Sequence, residues 1–200
     1  LVYNFNREES DLTKSLVKPY IPRFPRHISY DLVLFGSWRR KGVYVGEKQI
    51  ASPGSYPVAG FNFAPMYNLN YKLRFGVSLD GVYDGSANVY TEDALVEYDA
   101  GSGSSRRKFL VPGIQNQLAL GLSGRAEYVM PFFTIGVGLG TNVLGRGDLR
   151  GLYQVFALKI NVTRSSFLHI GYNLQDFQTP NYLMLGLGFR FNNKYPKVRH

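Results

Sequence analysis

The sequence predicts an all-β fold, an eight-stranded antiparallel transmembrane β-barrel with short periplasmic turns and longer extracellular loops. Three observations carry this expectation. Large apolar side chains recur at every second position in eight separate runs, the period of an extended strand with one greasy face and one small or polar face. The clearest run, Asn181 to Phe191, matches the roughly ten residues that a tilted strand needs to cross a bilayer, whereas ordinary strands stop nearer five or six. The connections between runs alternate between long and short, as they do in barrels threaded through a membrane.

The bulk composition agrees. At 200 residues the chain suits one domain, divided here into a periplasmic arm (1–26), a barrel (27–191) and a C-terminal tail (192–200). No run of about eighteen apolar residues exists, so no transmembrane helix is expected. A mean hydropathy of -0.16 is a poor witness, because alternation hides a membrane band from any average. Tyr (15), Phe (14) and Gly (22) are abundant, which suits aromatic girdles around a lumen that needs small residues. The absence of Cys excludes disulfides and Cys-ligated metal, and no cofactor or metal set is indicated. No signal peptide is visible at Leu1, so an exported chain reads as mature, its leader already removed. The net charge of +9 fits either an anionic lipopolysaccharide surface or plain loop solvation. Nucleic acid is not favoured, since no zinc spacing, RNA-binding signature or basic helix appears.

Taken in order, Leu1 to Arg26 is polar and punctuated by Pro19, Pro22 and Pro25, which favours an extended arm. The first run, His27 to Trp38, sets Ile28, Tyr30, Leu32 and Leu34 against His27, Ser29 and Asp31. A loop from Arg39 to Tyr56 leads to the second run, Pro57 to Asn68, with Ala59, Phe61, Phe63 and Tyr67 on the apolar side. Only Asn68 to Asn70 separates it from the third, Tyr71 to Asp84, a hairpin signal. There Leu73, Phe75, Val77 and Leu79 oppose Lys72, Arg74, Gly76, Ser78 and Asp80. Gly85 to Leu110 is polar and Gly/Ser-rich and reads as a mobile loop. The fourth run, about Gln115 to Tyr128, sets Leu118, Leu120 and Leu122 against Ser123, Arg125 and Glu127. Phe133, Ile135, Val137 and Leu139 mark the fifth; Phe156, Leu158, Ile160 and Val162 the sixth, opposite Lys159. The seventh puts Leu168, Ile170 and Tyr172 against His169, Gly171 and Asn173. The eighth carries Leu183, Leu185, Leu187, Phe189 and Phe191 opposite Tyr182, Met184, Gly186, Gly188 and Arg190. It is similar to the closing strand of bacterial outer-membrane barrels, with the tail after Phe191 as a departure.

Which face points inward decides between membrane and soluble barrels. Asp31, Lys72, Arg74, Asp80, Arg125, Glu127, Lys159 and Arg190 share the non-apolar faces and carry both signs. Eight strands enclose too little room for a Leu, Phe or Tyr at every apolar position, but they can hold a Gly-lined, salt-bridged lumen. The apolar faces then meet lipid, and the lumen is filled rather than open. Tyr67, Tyr71, Tyr128 and Phe133 beside the short turns would form the periplasmic girdle.

The strand plan, together with Lys72-Leu-Arg-Phe-Gly-Val-Ser-Leu-Asp-Gly-Val-Tyr-Asp-Gly-Ser86 and Leu168-His-Ile-Gly-Tyr-Asn173, resembles the lipid A 3-O-deacylase (acyloxyacyl hydrolase-like) barrels from about Ser29 to Phe191. The resemblance implies an outer-membrane esterase with a Ser-His-acid set, its His and Ser in a His-x-Ser-Asn motif on a late strand facing lipid. Here the candidate His169 is followed at plus two by Gly171, so the nucleophile is missing, and parity puts His169 on the lumen face. His27 and Ser29 have the spacing but sit at the periplasmic end of the first run, out of reach of outer-leaflet acyl chains. No catalytic set is therefore expected. Arg39, Arg40, Lys41, Arg106, Arg107, Lys108, Arg146 and Arg150 fall in expected extracellular loops, where they could pair with lipopolysaccharide phosphates. The expectation is a non-catalytic accessory barrel that contacts outer-membrane lipid and lipopolysaccharide and docks to a larger outer-membrane protein complex; the alternative is lipid A ester hydrolysis.

Overall fold

The computed structural model describes residues 23–40, 42–45, 48–51, 54–99, 104–177 and 179–195. In chain order the strands are β1 (His27–Arg39), β2 (Gly42–Val45), β3 (Lys48–Ala51), β4 (Tyr56–Asn68), β5 (Leu73–Asp84) and β6 (Tyr90–Asp99). They continue as β7 (Ser104–Leu110), β8 (Leu118–Val129), β9 (Phe133–Leu144), β10 (Leu152–Asn161), β11 (Ser166–Gln175) and β12 (Thr179–Phe191). Eight of these close into one antiparallel barrel, ordered β1-β12-β11-β10-β9-β8-β5-β4. The ring closes where β1 meets β12, with Asp31 opposite Arg190 and Leu34 opposite Leu187.

Alternation orients every barrel strand. Along β1 the buried positions are His27, Ser29, Asp31, Val33, Phe35 and Ser37, while Ile28, Tyr30, Leu34 and Trp38 are exposed. Leu185 and Phe189 on β12 are 50% and 42% exposed, so the apolar face is the outer one and meets lipid. A one-residue slip would exchange these faces wholesale. Glycine lets neighbouring strands and side chains crowd inward. A Cβ on Gly186 would meet the Leu34 carbonyl oxygen, and one on Gly76 that of Pro65, so neither site accepts a side chain without moving backbone.

The two ends differ. At the periplasmic end the Asn70 side chain accepts from the amides of Lys72 (2.8 Å) and Leu73 (2.8 Å), an Asx-type turn that starts β5 at Leu73. Lys72 is exposed in that turn, which corrects its assignment to the lumen: the alternation was carried two residues too far. The chain beyond Phe191 folds back under the barrel. Lys194 N–H donates to His27 Nε2 (3.2 Å) and Asn192 Nδ2 to the Ile28 carbonyl (2.7 Å), while Phe24 packs edge-on against Tyr71 and Tyr195.

At the extracellular end the expected loops contain structure. The predicted loop from Arg39 to Tyr56 holds the β2–β3 hairpin, and the one from Gly85 to Leu110 holds the β6–β7 hairpin. The connection after β9 makes a 3-10 turn at Gly147–Leu149. Leu149 is buried against Ala87 and Ala119, Asn88 and Asp148 exchange side-chain-to-amide bonds of 3.0 Å each, and Gln175 donates to the carbonyls of Asp148 and Arg150. This connection is thus tied across the mouth of the lumen.

Candidate functional site

The inward charges form three tiers. The lowest is centred on Asp31 of β1, whose carboxylate meets Arg74 of β5 (2.6 Å), Lys159 of β10 (2.8 Å) and Arg190 of β12 (2.9 Å). Glu127 of β8 accepts from Arg74 Nε (2.6 Å) and from Lys159 (2.6 Å). The Phe167 ring lies under the Lys159 ammonium and the Arg190 guanidinium at 5.0 and 5.2 Å. The middle tier is Asp80, which accepts from Asn62 (2.7 Å), Ser78 (2.6 Å), Ser123 (2.6 Å), Arg125 (2.8 Å) and Tyr153 (2.6 Å). At the extracellular mouth Arg39 pairs with Asp84 at 3.0 Å and donates to Asn181.

Each cation in these tiers has a carboxylate, and each carboxylate has several donors. Buried charges hold only under those conditions, and the network spans strands from around the barrel. The arrangement crosslinks the wall.

Arg39 corrects an expectation. It ends β1 on the inward parity and is committed to Asp84 and Asn181, rather than lying in a lipid-contacting loop. Extending the β1 alternation from Ser37 to Arg39, and that of β5 from Asp80 to Asp84, would have found this pair in the sequence. Tyr153 lay outside the expected sixth run because β10 begins four residues before Phe156, at Leu152.

Neither described histidine has the surroundings of a catalytic base. His169 is 2% exposed, faces the lumen and has no hydrogen-bond partner on either ring nitrogen. His27 Nδ1 donates to the Pro25 carbonyl (2.7 Å) and its Nε2 accepts from Lys194, which occupies both nitrogens. Ser29 instead accepts from Asn68 Nδ2 (2.9 Å), so no Ser–His relay forms at this pair. On the outer face of β11 stand Leu168, Ile170 and Tyr172, all exposed.

The remaining basic candidates scatter over the extracellular side. Arg40, Arg146 and Arg150 are exposed. Arg106, Arg107 and Lys108 belong to β7, with Arg106 opposite Glu97 in register; their side chains and Lys41 lie outside the described residues. Among the described residues, no cluster of three or more His, Asp or Glu side chains could hold a metal ion.

The family described as acyloxyacyl hydrolase, C-terminal domain, matches residues 28–193, which takes in all the barrel strands except the first residue of β1. The chain belongs to this family. No curated protein matches it. Among solved structures it is similar to Ail, the attachment invasion locus protein of Yersinia pestis, at 16% identity, covering 82% of this chain and 98% of that one with a TM-score of 0.42. The complex of Ail with the heparin analogue sucrose octasulfate gives the same coverage and TM-score at 13% identity. As an acyloxyacyl hydrolase family barrel with an outward apolar face, the protein resides in the bacterial outer membrane. Against the His-x-Ser-Asn pattern that the family resemblance implies on a late, lipid-facing strand, this member presents aliphatic side chains and Tyr172 to the lipid from β11.

Proposed function

We propose that this acyloxyacyl hydrolase family member works without hydrolysis, as an accessory outer-membrane barrel that contacts lipopolysaccharide and docks to a larger outer-membrane assembly. The observation that carries this reading is the wall of β11. Its lipid side has no hydroxyl–imidazole pair, and its one histidine, His169, is turned inward with neither ring nitrogen bonded. A nucleophilic hydroxyl needs a base in hydrogen-bond reach and an orienter behind that base, and acyl chains on the outside of the barrel would meet neither. Mass spectrometry of lipid A from cells with and without the protein tests this. Identical acylation is expected; loss of one acyl chain that depends on His169 or His27 would overturn it. The docking half predicts a stoichiometric partner after purification in mild detergent, and a lone monomer in every detergent would remove it.

The second reading is lipid A ester hydrolysis, and membership of the acyloxyacyl hydrolase family favours it. It requires that a base and nucleophile be found away from β11, and the same mass spectra decide it.

A further inference from the structure

Exposed charge divides unevenly between the two ends of the barrel. At the periplasmic end stand Arg23 and Arg26 before β1, Lys72 in the turn between β4 and β5, Arg164 in the turn between β10 and β11, and Lys194 after β12, all of them exposed. The described carboxylates all lie elsewhere. Asp31, Asp80, Asp84 and Glu127 face the lumen, Asp148 and Asp176 are at the extracellular end, and the others belong to β6. Among the described residues the side chains of Arg23, Arg26, Lys72 and Lys194 make no hydrogen bond or ion pair, and Arg164 donates only to the carbonyls of Asn193 (3.3 Å) and Tyr195 (2.7 Å). Lys72 and Arg164 lie on opposite sides of the ring, with β1 and β12 between them, so the cations form an arc around the rim rather than converging on one point. The arc keeps level with the end of the membrane band. Lys72 adjoins Leu73, while Arg26 and Arg164 stand close in the chain to Ile28 and Val162, and these three neighbours are exposed apolar side chains. The turn that the arc leaves out, between β8 and β9, is apolar and shows Phe132 at 79% exposure.

We propose that this arc is a binding surface for anionic glycerophospholipids of the periplasmic leaflet, whose headgroup is a phosphodiester without a balancing ammonium. Charge complementarity selects the sign. Cations unmixed with carboxylates attract an anionic surface, and each Lys or Arg held beside such a surface adds to the attraction. The guanidinium groups of Arg23 and Arg26 can meet phosphate oxygens in pairs, while Lys72 and Lys194 act as point charges. Placement selects a lipid over a protein. A long cationic side chain next to an exposed aliphatic residue keeps its stem on hydrocarbon and its head among headgroups, and Phe132 in the remaining turn is an aromatic anchor at the same level. A single phosphate ion would need converging donors, which an arc does not give. The surface lies at the opposite end of the barrel from the outer leaflet, so it stands whether or not the barrel hydrolyses lipid A and uses none of the extracellular cations.

The test uses the full chain, purified in mild detergent and offered equal amounts of phosphatidylglycerol and phosphatidylcholine with the same acyl chains, and the retained lipid is read by native mass spectrometry. Wild type is expected to retain phosphatidylglycerol over phosphatidylcholine by a factor on the order of tenfold, and the preference should shrink as ionic strength is raised. The quadruple variant Arg23→Gln, Arg26→Gln, Lys72→Gln and Lys194→Gln should retain the two lipids equally. Arg164 is left in place because it holds the tail. Arg40→Gln with Arg150→Gln, which removes exposed cations from the other end, should keep the wild-type preference. A heat-sensitive shift on denaturing gels verifies that each variant is folded. Equal retention of the two lipids by wild type, an unchanged quadruple variant, an extracellular variant equally impaired, or release of the lipid by inorganic phosphate alone would overturn the proposal. So would a periplasmic protein cross-linked to both Lys72 and Lys194 in cells, because the arc would then belong to a protein interface.

Discussion

Replacing Asp31 by Asn probes the lowest tier. The substitution keeps the shape and one carbonyl oxygen, so little cavity forms and the change is one of charge. Asp31 is 1% exposed and faces Arg74, Lys159 and Arg190 at 2.6, 2.8 and 2.9 Å. Glu127 still reaches Arg74 and Lys159, but Arg190 is left without a carboxylate among the described residues. Breaking a buried pair by removing one partner costs about 3–5 kcal/mol, because the stranded charge stays desolvated. That is a large part of a total stability commonly around 5–15 kcal/mol. The assay is urea unfolding of the protein in lipid vesicles, followed by the fluorescence of Trp38, the sequence's one Trp. Trp38 is outward-facing and 79% exposed, so it reports removal from lipid. Adding Arg190→Met to Asp31→Asn removes the stranded cation, and the double variant should recover about half of the loss or more. A loss below about 1 kcal/mol for Asp31→Asn alone, or a double variant as unstable as the sum of the two singles, would refute the idea that this tier crosslinks the wall.

His169→Met should change stability by about 1 kcal/mol or less in the same assay, since it replaces a buried ring whose nitrogens bond nothing by a side chain of similar volume; a large loss would reveal an unseen partner. Gly186→Ala should cost about 1–3 kcal/mol because its Cβ would run into the Leu34 carbonyl, whereas Gly36→Ala, whose nearest neighbour would be 3.8 Å away, should be near neutral. Equal effects at the two positions would show that the wall has slack. Tyr195→Phe should be neutral or stabilising, because it deletes a buried hydroxyl with no hydrogen-bond partner. Burial raises the pKa of that phenol, so it stays protonated in the fold while the unfolded chain ionises. Stability should therefore fall as pH climbs through and above about 10, and more gently in Tyr195→Phe; unfolding midpoints measured across that range check the sign.

The barrel was legible in the sequence wherever one face meets lipid. Leu183 to Phe191 and Leu73 to Leu79 alternate because each second residue must be apolar outside and small or polar inside, and that constraint fixed both strand count and facing. The hairpins β2–β3 and β6–β7 were not legible for the converse reason. Tyr90 to Asp99 shows no unbroken apolar alternation, so nothing but backbone pairing marks it as extended, and it read as loop. Strand ends were blurred by turn chemistry: Asn70 stops β5 short of Lys72, while β1 runs on to Arg39. The composition of the lumen could be read from parity, but its pairing could not. That Asp31 gathers three cations while Asp80 gathers one, with three hydroxyls and an amide, depends on strand tilt and shear, which bring residues far apart in sequence to one height.

The opposition of Asp31 and Arg190 has a bearing on assembly, because these residues lie on the first and last strands of the cylinder. The seam between them is zipped by a buried ion pair. A sheet that has not yet curled shut leaves Arg190 without its acid, and a seam mis-stepped by one residue would drive its guanidinium among hydrocarbon tails. Either error is far costlier than a mismatched Leu against Leu, which lipid would scarcely notice. The ends of the chain thus carry their own proofreading: electrostatics penalise an open seam and a closure slipped by one residue.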